Sequence, residues 1–180
     1  MSWNLPNFLA LIRILIAPLL FWILLNINSP IFESIHTSWI NFLAAFLFVM
    51  ASVTDFFDGY IARSWNQKTT LGEIIDPLAD KMLTLAAFLG LMMIDRANPW
   101  AVFLILTREF FITGLRVMAV ANGKNIAASM AGKVKTVFQM IAIGFLIMDW
   151  PFSTLLLWFS VFLTLYSGVE YIIGYTKARG

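Results

Sequence analysis

The sequence predicts an all-α protein that crosses a membrane about six times and forms one domain over residues 1–180. Of its 180 residues, 61% are hydrophobic and only 12% are charged, which is too little polar surface to cover a water-soluble domain. The apolar residues also fall into six stretches, each close to the roughly 20 residues that a helix needs to span a bilayer. These stretches lack the period-two alternation of membrane-spanning strands. The predicted fold is therefore a bundle of hydrophobic helices.

Each of the six stretches has the length and composition of a membrane helix. The first has no basic segment before it and contains Arg13, so we interpret it as a retained span and not as a signal peptide. The six predicted spans lie at 5–26, 39–63, 73–94, 98–121, 130–149 and 152–175.

The basic residues predict which side of the membrane each link faces, because Lys and Arg are retained in the cytoplasm during insertion. An even number of spans puts both termini on one side. If that side is the cytoplasm, Arg96 is the basic residue left outside, together with the link that holds His36, which we expect to be an ordinary loop residue. The residues then placed at the cytoplasmic face are Arg63, Lys68, Lys124, Lys133, Lys135, Lys177 and Arg179.

Charge and cysteine content exclude several classes of function. The formal net charge is only +2 and no run of Lys or Arg forms a basic stripe, so a nucleic-acid partner is not expected. The chain contains no cysteine, which rules out a disulfide framework, a thiolate metal site and a thiol nucleophile.

Four aspartates lie where a membrane helix should not carry charge. Asp55 and Asp58 come near the end of the second predicted span, and Asp76 and Asp80 come near the start of the third. A charged side chain at the bilayer centre costs about 2.5 to 3.5 kcal/mol on insertion scales, so four of them need a reason. Residues three or four apart share a helix face, and the link at 64–71 is short enough to make the two helices antiparallel neighbours. Both acidic stripes should therefore face each other at the cytoplasmic end.

Divalent cations are the usual remedy for carboxylates crowded in this way. Because the donors are all oxygen atoms, with no Cys or His among them, Mg²⁺ or Mn²⁺ is the expected ion. The alternative is that the aspartates cap helices or pair with Arg63, Lys68 and Lys81. Capping needs one carboxylate at each helix start and does not explain two paired stripes.

Eight residues of this region also match a known signature. The sequence resembles the CDP-alcohol phosphotransferase family, whose motif Asp-x2-Asp-Gly-x2-Ala-Arg-x8-Gly-x3-Asp-x3-Asp is reproduced at fixed spacing across the two spans. The matching residues are Asp55, Asp58, Gly59, Ala62, Arg63, Gly72, Asp76 and Asp80.

The resemblance implies an enzyme, a metal site and a set of donor contacts. It implies that Asp55, Asp58 and Asp76 hold two divalent ions over the pyrophosphate of CDP-diacylglycerol, and that Asp80 is the general base and also touches a metal. It also implies a homodimer in the bacterial inner membrane, with its active site open to the cytoplasm. The expected donor-binding residues are Asp58, Gly59, Ala62, Arg63 and Gly72.

The rest of the chain resembles the phosphatidylglycerophosphate synthase branch of this family, whose acceptor is sn-glycerol 3-phosphate. The resemblance rests on three segments, although Ala10 stands where that branch has threonine. The segments are Asn4-Leu5-Pro6-Asn7 with Arg13, Thr107-Arg108-Glu109-Phe110 with Gly114-Leu115-Arg116, and Gly132-Lys133-Val134-Lys135-Thr136 with Gln139.

An acceptor that carries a phosphate needs a basic pocket. Four residues can supply it, and they lie on the fourth span and at the start of the fifth. Two alternatives stay open: the lysines can be cytoplasmic anchors, and Arg108 can be a structural partner of Glu109 or Glu170. The expected phosphate-binding residues are Arg108, Arg116, Lys133 and Lys135.

Other functions remain as alternatives to this interpretation. A transferase of the same family could use inositol phosphate or serine, because a basic pocket alone does not fix the alcohol. An ion or proton transporter would also place carboxylates in membrane helices. However, a transporter is expected to carry a midplane site and repeat symmetry, and the sequence shows neither. A non-catalytic scaffold is the third class.

Overall fold

The computed structural model describes the backbone of residues 5–64, 70–121 and 130–177, and within these ranges the side chains of 5–7, 55–77, 80, 120–121 and 177 are outside the description. Six α-helices and one short 3₁₀ helix, Pro30–Phe32, make up the described chain, and no strand occurs in these ranges. Every helix end lies within three residues of its predicted position. The helices are α1 Leu5–Leu25, α2 Thr37–Ser64, α3 Thr70–Met93, α4 Pro99–Ala121, α5 Met130–Met148 and α6 Ser153–Lys177. The all-α fold class is confirmed.

Four of the helices are long and apolar enough to cross a membrane. These four stretches are Phe8–Leu25, Thr37–Thr54, Met130–Met148 and Ser153–Thr176. In α3 the described apolar part is the shorter stretch Lys81–Met93. Helix α4 has 23 residues, but Arg108, Glu109 and Arg116 lie within it. The chain is thus an integral membrane protein, while the count of six spans stays a prediction for α3 and α4.

The chain divides into two compact units, and the prediction of a single domain stays a prediction. The first unit comprises residues 1–96 and 147–149, and the second comprises 97–146 and 150–180. In both units many large apolar side chains are exposed, among them Trp39 at 69% and Phe162 at 62%. In a water-soluble protein such surfaces would be a liability. For a membrane protein they are the surfaces that face lipid.

In the first unit, α1 packs against α2 and α3, and small residues of α1 and α3 are buried. Ala10 and Ala17 on α1, and Ala79 and Ala87 on α3, are buried, and small residues let membrane helices approach closely. The approach is tightest at Gly90, where an added Cβ would lie 2.8 Å from Leu24 Cδ1. Only glycine fits there without a shift of backbone or side chain.

Both α3 and α5 end in the same way, with an aspartate in the left-handed conformation just past the last turn. Asp95 has φ 58° and Asp149 has φ 56°. After α3, the Arg96 N–H donates to Leu91 O at 2.9 Å, and after α5, the Trp150 N–H donates to Phe145 O at 3.0 Å. This is the Schellman arrangement, which satisfies carbonyls that the helix itself leaves free.

The second unit begins with a well-formed helix start. Asn98 Oδ1 accepts hydrogen bonds from the backbone N–H groups of Trp100 at 3.0 Å and Ala101 at 3.3 Å, and Pro99 occupies the first helical position. Asn as cap followed by Pro is a strong helix-start signal. Within this unit α4 packs against α6, and Phe138 of α5 meets Phe159 of α6 edge to face at 5.0 Å.

Candidate functional site

The predicted metal and donor residues lie on α2 and α3. The two pairs of aspartates lie on different helices of the first unit, Asp55 and Asp58 within α2 and Asp76 and Asp80 within α3. Their side chains lie outside the described residues, and so do those of Gly59, Ala62, Arg63 and Gly72. Among the side chains that the structure does describe, no group of three or more acidic, His or Cys residues could hold a metal ion. The metal-site and donor-site assignments therefore stay predictions.

The chemistry of the aspartate set fits a hard divalent cation. Four carboxylates supply only oxygen donors, which suit Mg²⁺ and Mn²⁺ better than the softer transition metals.

In the described part of the first unit, Arg13 on α1 is completely buried. A buried guanidinium requires partners, and Arg13 has interactions of its own.

Arg108 is the centre of a polar cluster in the second unit. It is the tenth residue of α4, and its side chain is only 13% exposed. Its Nη1 atom donates to Glu109 Oε1 at 3.1 Å, and its Nη2 atom donates to Ser167 Oγ on α6 at 2.9 Å. Its Nε atom is buried and has no hydrogen-bond partner within the described ranges. A buried donor left unpaired costs about 1 to 3 kcal/mol.

Lys135 reaches the same carboxylate from α5. Its ammonium contacts Glu109 Oε1, so a single carboxylate oxygen accepts from both basic side chains. Lys135 is 5% exposed and Gln139, one turn later, is 6% exposed. The three charges sum to +1, because one carboxylate neutralises one of two cations. The structure thus brings together Arg108 and Lys135, two of the four predicted phosphate-binding residues.

The other two predicted phosphate-binding residues are placed differently. Arg116 is exposed, and its guanidinium carbon lies 5.9 Å from the ring centroid of Tyr171 on α6, a distance at which a cation and an aromatic ring attract each other. Lys133 is also exposed. Neither forms an ion pair within the described ranges. The pairing of Arg108 with Glu109 is the structural alternative that the sequence left open, whereas Glu170 is exposed.

Helix α6 carries a polar stripe that sequence reasoning missed. Ser160 and Thr164 are completely buried, Ser167 is 1% exposed and Tyr171 is 6% exposed. Their spacing of four, three and four residues places them on one helix face. The Thr164 hydroxyl and the Tyr171 hydroxyl have no hydrogen-bond partner among the described residues. The signal available in the sequence was this spacing of hydroxyl groups, but scattered Ser and Thr residues are also ordinary packing residues of membrane helices.

Comparison with known proteins agrees with the motif on α2 and α3. The sequence profile of CDP-alcohol phosphatidyltransferase matches residues 3–166, which is more than half of the chain. The chain belongs to the CDP-alcohol phosphatidyltransferase family. Members of this family generally use divalent metal ions.

Several curated relatives are similar over almost their whole length. A relative from Bacillus subtilis (strain 168) is 40% identical, covering 94% of this chain and 93% of its own. One from Rickettsia typhi is 37% identical, and the match covers 93% of this chain and 94% of the relative. One from Escherichia coli (strain K12) is 35% identical, and the match covers 96% of this chain and 94% of the relative. All three are named CDP-diacylglycerol–glycerol-3-phosphate 3-phosphatidyltransferase.

Proposed function

We propose that this membrane enzyme transfers the phosphatidyl group of CDP-diacylglycerol to sn-glycerol 3-phosphate, giving phosphatidylglycerophosphate and CMP. The reaction follows from the family of the chain and from the names of near full-length relatives. It makes the protein a transferase of phospholipid biosynthesis. The single structural observation in favour of a phosphorylated acceptor is the meeting of Arg108 and Lys135 at Glu109 within the second unit.

The proposed donor and metal site rests on the aspartates. Asp55, Asp58, Asp76 and Asp80 would hold two divalent ions, Mg²⁺ or Mn²⁺, and Asp80 would also be the general base. When bound, such ions neutralise pyrophosphate charge and make CMP a better leaving group. Asp58 would also contact the donor, and the rest of its cytidine diphosphate part would be held by Gly59, Ala62, Arg63 and Gly72.

Asp80 carries the proposed proton transfer. The acceptor hydroxyl would give its proton to the Asp80 carboxylate as its oxygen attacks the phosphorus atom, and the bond between that phosphorus and the CMP oxygen would break. General bases of this kind contribute roughly a hundredfold or more to the rate. CMP then leaves, and the new phosphodiester joins the lipid to glycerol 3-phosphate.

The proposed acceptor site rests on basic side chains. Arg108 and Lys135 are almost buried, so charge-assisted hydrogen bonds to a phosphate would be only weakly screened by water. Arg116 and Lys133 are exposed and would contribute to long-range attraction of the dianion. An alcohol without phosphate would leave the buried cations without a new partner. The expected preference is therefore for a phosphorylated acceptor.

Three further features are part of the same proposal. The enzyme would lie in the bacterial inner membrane, with its active site facing the cytoplasm, where glycerol 3-phosphate is available. It would form a homodimer. Membrane lipids would cover the exposed apolar side chains of both units.

An acceptor screen with purified protein tests the proposed reaction. CMP release from CDP-diacylglycerol is measured in the presence of Mg²⁺ with glycerol 3-phosphate, inositol phosphate, serine or water, and a parallel Asp76→Asn preparation gives the background. We expect release with glycerol 3-phosphate alone, together with a lipid product that contains two phosphates. Equal release with inositol phosphate or serine would overturn the acceptor, and no release with any acceptor would overturn the enzyme class.

A further inference from the structure

Two consecutive residues of helix α6, Ser167 and Gly168, lie against the side chain of Arg108. Ser167 Oγ accepts from Arg108 Nη2 at 2.9 Å, and the same hydroxyl donates to Thr164 O at 3.1 Å. The serine is therefore oriented by its own helix, and its oxygen lone pairs are turned to the arginine. A hydrogen bond to a charged group contributes more than a neutral one.

Gly168 provides the space through which the Arg108 side chain passes. A Cβ added at this glycine would lie 3.3 Å from both Arg108 Cγ and Arg108 Nε. Such contacts are tighter than ordinary van der Waals separation, so any larger residue would press on the middle of the arginine side chain. The Arg108 side chain would have to shift by a few tenths of an ångström, and such a shift would change the position of its guanidinium relative to Ser167 and Glu109.

These contacts leave one nitrogen atom of Arg108, Nε, without a hydrogen-bond partner among the described residues. Nη1 is taken by Glu109 and Nη2 by Ser167, while Nε is buried without a partner among the described residues. A guanidinium fixed at two nitrogens keeps its plane and position, so less freedom is lost when a ligand binds.

We infer that Ser167 and Gly168 are positioning residues for the acceptor, acting through Arg108 to hold its guanidinium ready for the phosphate of glycerol 3-phosphate. This inference rests on the proposed function of Arg108. It assigns a role in acceptor selection to α6, which carries none of the residues that the sequence motifs single out. Neither residue touches the reacting atoms in this assignment.

The chain offers a matched control for each of the two residues. Ser160 lies two turns earlier on α6, is equally buried, and donates to Leu157 O at 2.8 Å, as Ser167 does to Thr164 O. Gly174 lies on the same helix, and an added Cβ there would meet no atom within 4 Å. Ser160→Ala and Gly174→Ala therefore make the same chemical changes without touching Arg108.

The test measures KM for glycerol 3-phosphate, kcat and KM for CDP-diacylglycerol in purified full-length variants. Ser167→Ala and Gly168→Ala should each raise the acceptor KM by roughly three- to tenfold, less than the roughly ten- to hundredfold expected for losing a charged hydrogen-bond donor in Arg108→Ala. The donor KM should stay within about twofold of wild type, since the donor contacts other residues. Ser160→Ala and Gly174→Ala should leave all three constants unchanged.

Two outcomes separate this inference from the proposed function. If Arg108→Ala raises the acceptor KM while Ser167→Ala and Gly168→Ala match their controls, the positioning role is wrong and the proposed acceptor site stands. If Arg108→Ala itself leaves the acceptor KM unchanged, the proposed site fails. If one of the variants Ser167→Ala and Gly168→Ala does not fold, the other decides the question. Ser167→Ala removes only one oxygen atom. Ser167→Thr restores a hydroxyl and should bring the acceptor KM back toward wild type.

Discussion

Arg96 and Arg108 are both largely buried arginines of a membrane protein, but they are held in opposite ways. Arg96, in the first unit, donates to Asn41 Oδ1 at 2.9 Å and to Ile147 O at 2.8 Å, with Asp149 at 3.8 Å. Ile147 O belongs to the last turn of α5, where a helix leaves its carbonyls free and favours a cation. Arg108, in the second unit, is held by side chains of Glu109 and Ser167, and its Nε has no hydrogen-bond partner in the part of the chain that the structure describes.

This difference supports the proposal that Arg96 is structural and that Arg108 binds a ligand. Arg96 donates to a side-chain amide of α2 and to a backbone carbonyl that is free because α5 ends there. Arg108 lies in the middle of α4, where no helix end needs a partner, and it meets a second cation, Lys135, at one carboxylate. We therefore expect Arg96 substitutions to change stability and Arg108 substitutions to change acceptor use.

The largest expected effect is the loss of turnover when a proposed metal ligand is replaced. Asp58→Asn or Asp76→Asn should abolish turnover while the protein remains folded in detergent, because a lost carboxylate weakens a cation that the reaction needs. CMP release and thermal unfolding are measured side by side. Asp95→Asn is the matched control, since it makes the same change at a helix end and Asn also tolerates the left-handed conformation. Activity near wild type in either variant would remove the proposed metal site.

The second effect concerns the proposed base. Asp80→Asn should lower kcat by at least about a hundredfold, as expected for loss of general base catalysis, while CDP-diacylglycerol still binds. Donor affinity and turnover are measured on the same preparation. Turnover above about a tenth of wild type would show that Asp80 does not take the proton.

The third effect tests the structural side of the comparison. Arg96→Ala should lower the free energy of unfolding by about 2 to 3 kcal/mol, because Asn41 and Ile147 O lose a charged donor. The kcat and acceptor KM of the folded fraction should stay at the wild-type values. Asp149→Asn is the control: its carboxylate is 67% exposed and 3.8 Å away, so the expected change is below about 0.5 kcal/mol. A selective loss of acceptor affinity in Arg96→Ala would erase the distinction between the two arginines.

The sequence predicted the helices well because long apolar stretches leave a membrane chain few choices. The start of α4 could be anticipated from Asn98 and Pro99, which form a cap and a first turn. The ends of α3 and α5 carried a weaker signal, since Asp95 and Asp149 take a conformation that is more often given to glycine or asparagine. Their Schellman bonds therefore emerge only from the structure.

The candidate site was predictable to the extent that it consists of charge. Arg108 and Lys135 stood out because ionised side chains are rare in membrane helices, and Glu109 was visible as a neighbour in sequence. Ser167 and Gly168 gave no such signal, because small residues are common wherever membrane helices pack. Their role depends on the register between α4 and α6, which the pattern of neither helix specifies alone. The aspartate side chains lie outside the described residues, so their grouping stays a prediction.

The prediction with the smallest expected effect on activity concerns the orientation of the chain in the membrane. The native chain has no cysteine, so single cysteines at His36 and Lys68 can be labelled with an impermeant reagent in intact cells, at no expected cost to activity. The positive-inside rule predicts labelling of residue 36 from outside and of residue 68 only after permeabilisation. Labelling of both from the same side would refute the predicted topology and a cytoplasmic active site.

The most direct measurement compares acceptor discrimination in Arg108→Ala and Arg96→Ala. The quantity is the ratio of kcat/KM for glycerol 3-phosphate to kcat/KM for glycerol, which cancels the effects of folding yield and donor binding. A phosphate-binding Arg108 predicts that the ratio falls by roughly ten- to a hundredfold in Arg108→Ala, the value of one charged hydrogen bond, and stays at wild type in Arg96→Ala. An unchanged ratio in Arg108→Ala, or an equal fall in both variants, would contradict the proposal that Arg108, in the second unit, binds the phosphate of the acceptor.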